Sequence, residues 1–132
     1  MTDTTNRPKA VTTAARENAR QHAQAAADAL AARIAPVIKL GRKLAADESA
    51  TPTLEETVEV LQALTTVTAT EREAALDLAA DLRMMGVSRH EVAHRANRSY
   101  SALGEAMSSR PWAAVTTARE LTRSPTGTWA AR

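Results

Sequence analysis

The 132-residue chain predicts an all-α fold, a small helical domain preceded by a long N-terminal helical arm. Two observations lead there. The apolar residues are mostly Ala with some Leu and Val, while Phe is absent and only one Tyr and two Trp occur. Alanine is the strongest helix former and lets helices approach closely, whereas a sheet core draws on β-branched and aromatic side chains. In addition, apolar residues recur at spacings of three and four, and no alternating run of strand length is present.

The elements follow in order. Residues 1–9 are polar, lack an apolar signal core and read as a disordered start. Residues 10–50 form the Ala-rich arm, helical to about Ala46, with Pro36 expected to kink or divide it because proline lacks the backbone N–H. Leu30, Ile34, Val37, Gly41 and Leu44 make one apolar stripe on the arm, suited to packing on the domain, on a second copy of the chain or on another protein partner. Asp47–Thr53 is a linker. Three Ser/Thr residues are then followed at the third position by Glu: Thr53 with Glu56, Thr70 with Glu73, and Ser88 with Glu91. Each pair can close a reciprocal hydrogen-bonded cap, which predicts helix starts and divides residues 51–123 into helices at 54–67, 71–85, 89–96, 100–109 and about 112–123. Gly86 suits the exit of the second of these. Met84 and Met85 are expected in the core, as is Trp112, and residues 124–132 read as a flexible tail.

Net charge is only +2, but its distribution is uneven. Residues 51–82 hold seven acids and a single Arg, whereas residues 83–110 hold five Arg and two Glu. An acidic scaffold followed by a basic stretch is the pattern of a protein in which one part packs and another meets phosphates. Cysteine is absent, which excludes a disulfide framework and thiolate metal sites. No apolar stretch approaches a membrane span, and the chain is expected to be cytoplasmic and without cofactor.

The segment 88–109 contains the parts that two short crossed helices need. Ala93 is small where they touch. Asn97 tolerates the positive φ of a tight turn. Val92 and Ala96 supply apolar contacts before the turn, and Leu103, Ala106 and Met107 supply them after it. Ser99 can cap the second helix. On these residues, and on Glu91-Val92-Ala93, Ala96-Asn97 and Ser101-Ala102-Leu103 in particular, the segment resembles the helix-turn-helix of bacterial and phage transcriptional regulators and of the DNA-reading domain of sigma factors. That family usually has an apolar residue directly after the turn, where this chain has Arg98.

The resemblance implies sequence-specific binding of double-stranded DNA by a homodimeric regulator or repressor that is not an enzyme. Residues 100–109 would be the recognition helix in the major groove, with Ser99, Tyr100, Ser101, Glu105 and Ser108 facing bases. Arg89, His94, Arg95 and Arg98 would meet phosphates.

Residues 90–94 also spell His-Glu-Val-Ala-His. On a helix this puts His90 and His94 one turn apart with Glu91 between them, the arrangement of zinc peptidases. A small zinc metallopeptidase is thus an alternative, as is a helical adaptor that binds no DNA. The extended zinc signature would need Gly and His at positions held by Asn97 and Tyr100. The only other histidine is His22, and Glu91 already has a use as the partner of Ser88.

Overall fold

The computed structural model describes residues 7–132, so the expectation of a disordered start lies mostly outside the described residues. Among these residues the chain is mostly α-helical, with four α-helices: α1 (Lys9–Ala46), α2 (Leu54–Met84), α3 (Arg89–Arg95) and α4 (Tyr100–Met107). Two 3-10 turns (Pro111–Ala114 and Ala118–Glu120) and a two-stranded antiparallel sheet, β1 (Leu121–Arg123) with β2 (Trp129–Ala131), complete it. Among the described residues, no helix is long and apolar enough to cross a membrane.

The chain packs as two units, the residues up to Ala23 with Ala74–Arg132, and Gln24–Glu73. This division differs from a separate arm at 10–50, because both long helices contribute to both units. The second unit is a helical hairpin. Thr53 and Glu56 form the reciprocal cap that opens α2: Glu56 N–H donates to Thr53 Oγ1 (3.1 Å) and Thr53 N–H donates to Glu56 Oε1 (2.8 Å). Lys43 Nζ also donates to Glu56 Oε1 at 2.7 Å, and chiefly this bond holds the Glu56 carboxyl down at about 2. Leu30, Ile34, Val37 and Leu44 are half-buried and Ala63 is buried, whereas Leu54, Val58, Leu61 and Leu64 remain exposed.

The structure corrects four sequence expectations. The Thr70–Glu73 pair does not open a helix, and α2 runs unbroken from Leu54 to Met84. The Thr66 and Thr70 hydroxyls donate back to the carbonyls of Gln62 and Thr66 (2.8 and 3.1 Å), which satisfies them inside a continuous helix. Pro36 was expected to kink or divide the arm, and it does not divide it: α1 runs through Pro36 as one helix. The helix expected at 112–123 is replaced by the two 3-10 turns and β1, and the supposed tail 124–132 returns as β2. The Ser124-Pro125-Thr126-Gly127 turn, with Gly127 at φ 90°, reverses the chain, and Leu121, Thr122 and Arg123 pair with Ala131, Ala130 and Trp129.

The buried amide of Asn18 ties the sheet to α1, beside Glu17, which accepts from Trp129 Nε1 at 2.8 Å. Asn18 is fully buried. Its Nδ2 donates to Trp129 O (2.8 Å) and its Oδ1 accepts from Trp129 N–H (2.7 Å), so the side chain pairs with β2 as a neighbouring strand would. Around it Val11, Ala14, Ala15, Met84, Val115 and Leu121 form one core, with Met85, Trp112 and Trp129 packed against it.

A second tie is ionic. The Asp81 side chain has no exposure and accepts from His22 Nδ1 (2.5 Å) and Trp112 Nε1 (3.0 Å). One helical turn earlier, Asp77 accepts from the buried Arg110 Nε at 2.9 Å. The hydrogen bond to Asp81 raises His22 above its ordinary value of 6.5, against the opposing effect of burial. Burial also pushes Asp81 upward, opposed by the two donors.

Removing one partner of such a buried pair leaves the other uncompensated, so Asp81→Asn should cost about 3 kcal/mol in urea unfolding. A group whose folded pKa is raised stabilises fully below its unfolded value and loses that contribution as pH rises through the folded one. The stability gap between wild type and His22→Gln should therefore be larger at about pH 6 than at about pH 9, and a gap independent of pH would contradict the charged pairing.

Candidate nucleic-acid interface

The helix pair α3–α4 rests on the end of α2. The exit from α2 is a left-handed cap: Gly86 sits at φ 100°, its N–H donates to Arg83 O (3.0 Å) and Val87 N–H donates to Leu82 O (3.1 Å). Ser88 then opens α3 by accepting Glu91 N–H at 3.1 Å. The Glu91 carboxylate accepts from Arg95 Nε (3.0 Å), one turn along the same helix. The turn between α3 and α4 repeats the device seen at Gly86. Asn97 stands at φ 55°, its N–H donates to His94 O (3.2 Å), and Arg98 N–H donates to Ala93 O (2.9 Å). Ser99 caps α4 by accepting Ala102 N–H at 3.1 Å.

Ala79 of α2, Val92 and Ala93 of α3 and Leu103 of α4 form the core beneath this turn, with Val87 and Met107 packed on it. Val92, Ala93 and Leu103 thus occupy the interior positions expected of them. Ala96 does not. It is the C-terminal cap residue of α3 and is exposed, because the left-handed turn at Asn97 carries the chain away from the core directly after it.

With Leu103 turned inward, Ser101, Glu105 and Ser108 are exposed at i, i+4 and i+7 of the opposite side, and Ser99 and Tyr100 are exposed at the helix start. The Ser108 hydroxyl donates to Glu105 O (2.6 Å). Among the cations, Arg95 and His94 are exposed and Arg98 is half-buried. Arg89 is placed differently. It is half-buried, its Nε and Nη2 donate to Tyr100 O (3.1 and 2.7 Å), and its guanidinium lies 3.8 Å from the centre of the Tyr100 ring. His90 stacks on the same ring at 4.2 Å between centroids. The aromatic residue expected to face bases is therefore held by two side chains of α3, one of them, Arg89, expected to meet phosphate.

The sequence reading missed Gly104. A Cβ built there would lie 1.6 Å from Arg89 Nη2, so the glycine makes room for the guanidinium across the helix pair. A glycine within a helix costs about 1 kcal/mol relative to Ala, and that cost was the available signal of a close approach. The His-Glu-Val-Ala-His segment does form on a helix, with His90 and His94 exposed, but His90 is stacked on Tyr100 and Glu91 is paired with Arg95. Among the described residues, no three His, Asp or Glu side chains converge as a metal site requires.

Comparison with protein-family models, curated proteins and solved structures finds no match, so the site is read from its own chemistry.

Substitutions at two positions test this geometry. Asn97→Gly should leave stability near wild type, whereas Asn97→Val should lower it by about 1–2 kcal/mol in thermal unfolding, because a branched Cβ is strained at that φ. Gly104→Ala should displace the end of Arg89 and shift the Tyr100 ring resonances while leaving helix content unchanged. Unaltered ring resonances would refute the packing.

Proposed function

We propose that this protein binds double-stranded DNA through α3 and α4 and acts as a transcriptional regulator. The observation that carries the reading is the exposed row of Ser99, Tyr100, Ser101, Glu105 and Ser108 on a short helix whose other side is anchored by the fully buried Leu103. Serine accepts or donates to several base edges, and Glu105 is suited to accept from the cytosine amino group. α4 itself holds no Arg or Lys. In this reading Arg95, Arg98 and His94, on α3 and in the turn, supply the phosphate contacts that set the register. Arg89 contributes by fixing Tyr100 rather than by reaching a phosphate.

A homodimer would place two such helices on adjacent half-sites. The exposed Leu54, Val58 and Leu61 of α2, at i, i+4 and i+7, supply an apolar face for the second copy.

The test is fluorescence anisotropy with a pool of random-sequence duplexes, from which bound sites are also selected. Affinity should fall steeply between about 50 and 200 mM salt. Arg95→Ala should weaken binding to all duplexes alike and reduce the salt slope by about one, whereas Glu105→Ala should change the selected sequence. Absence of salt-dependent duplex binding would overturn the proposal. The mass of the complex gives its stoichiometry.

A further inference from the structure

Three arginines line one open groove beside α4. Arg83, Arg89 and Arg110 face Gly104, Met107 and Ala113 around a volume of about 390 Å³, within the range of small-molecule sites. The three cations are not equivalent. Arg110 is neutralised by Asp77 at 2.9 Å. Arg83 Nη1 donates to Val87 O (2.6 Å) and Arg89 donates to Tyr100 O, and these backbone carbonyls accept hydrogen bonds but bring no negative charge. Burial, followed by the like charges of Arg7 and Arg89, lowers the pKa of Arg83 from its ordinary range. The Nε of Arg7 is itself buried without an acceptor. Two guanidinium groups held on neutral carbonyls at one groove are suited to receive an anion.

We propose that this groove binds a small organic anion, a monocarboxylate with an aromatic or branched apolar body. The carboxylate lies between Arg83 and Arg89, and the body rests on Met107 and Ala113. A guanidinium receives a carboxylate through two parallel N–H donors, a geometry a lysine would not offer. The thioether of Met107 adapts to an irregular apolar partner. Because Arg89 also holds Tyr100, occupation of the groove competes with the contact that positions the start of α4. The binding claim itself is independent of whether α4 reads DNA.

The experiment is an NMR titration of the full chain without DNA, following the Arg83 and Arg89 Nε–H signals. The probes are benzoate, inorganic phosphate and benzamide. Benzoate should saturate both signals and move the Tyr100 ring resonances, phosphate should bind at least tenfold more weakly, and benzamide should leave the signals unmoved. Arg83→Gln should weaken benzoate at least tenfold, and Arg89→Gln replaces it if that variant does not fold. The proposal is overturned if benzoate does not saturate, if it binds no tighter than phosphate or benzamide, or if exposed arginines such as Arg16 and Arg20 respond equally.

Discussion

A carboxylate shut away from water must find donors, and Asp81 finds them on two separate segments. His22 comes from the first part of α1 and Trp112 from the turn that follows α4, and both converge on one side chain of α2. Asp77, one turn back, catches Arg110 from the same exit. Two carboxylates spaced at i and i+4 thus gather the beginning of the described chain and the segment after α4 onto one helix. The same stretch of α2 also contributes Ala79 to the core beneath α3 and α4. The exposed row of α4 is thus presented from a helix that these buried polar contacts help to hold.

The presentation of α4 depends on small local devices more than on bulk. Two left-handed caps, at Gly86 and Asn97, set where α2 and α3 stop. Two serine caps, at Ser88 and Ser99, set where α3 and α4 start. Between them only a few apolar side chains are fully enclosed. A helix of eight residues is too short to persist in isolation, so its orientation comes from these fixed ends together with the anchoring of Leu103.

The sequence was legible where a structure is made by neighbours in the chain. The Thr53–Glu56 cap, the Ser88 and Ser99 starts, the stop at Gly86 and the positive φ of Asn97 are all encoded within four residues of where they act. It was illegible where a distant partner decides the outcome. Residues 121–123 and 129–131 are short and poor in strand formers, and they form a sheet because Asn18, more than a hundred positions away, completes the hydrogen bonding of Trp129. Thr70 and Glu73 offered a plausible helix start, yet the Thr66 and Thr70 hydroxyls are satisfied by backbone carbonyls one turn back, and α2 continues through them. In the candidate site, the caps and the inward Leu103 could be read beforehand. The seating of Arg89 on Tyr100 could not, because it depends on the space left by Gly104 on another helix.

The pairing of Asn18 with Trp129 also constrains the birth of the molecule. The Asn18 amide lacks its native partner until the backbone of β2 exists. While the chain grows on a ribosome, the Gln24–Glu73 hairpin has all its partners early, whereas the unit that carries α3 and α4 cannot close its core until residues through Ala131 have emerged. Val11, Ala14, Ala15 and Met84 remain without their final cover during that interval, which ends only when Leu121 and the strand paired with it have arrived.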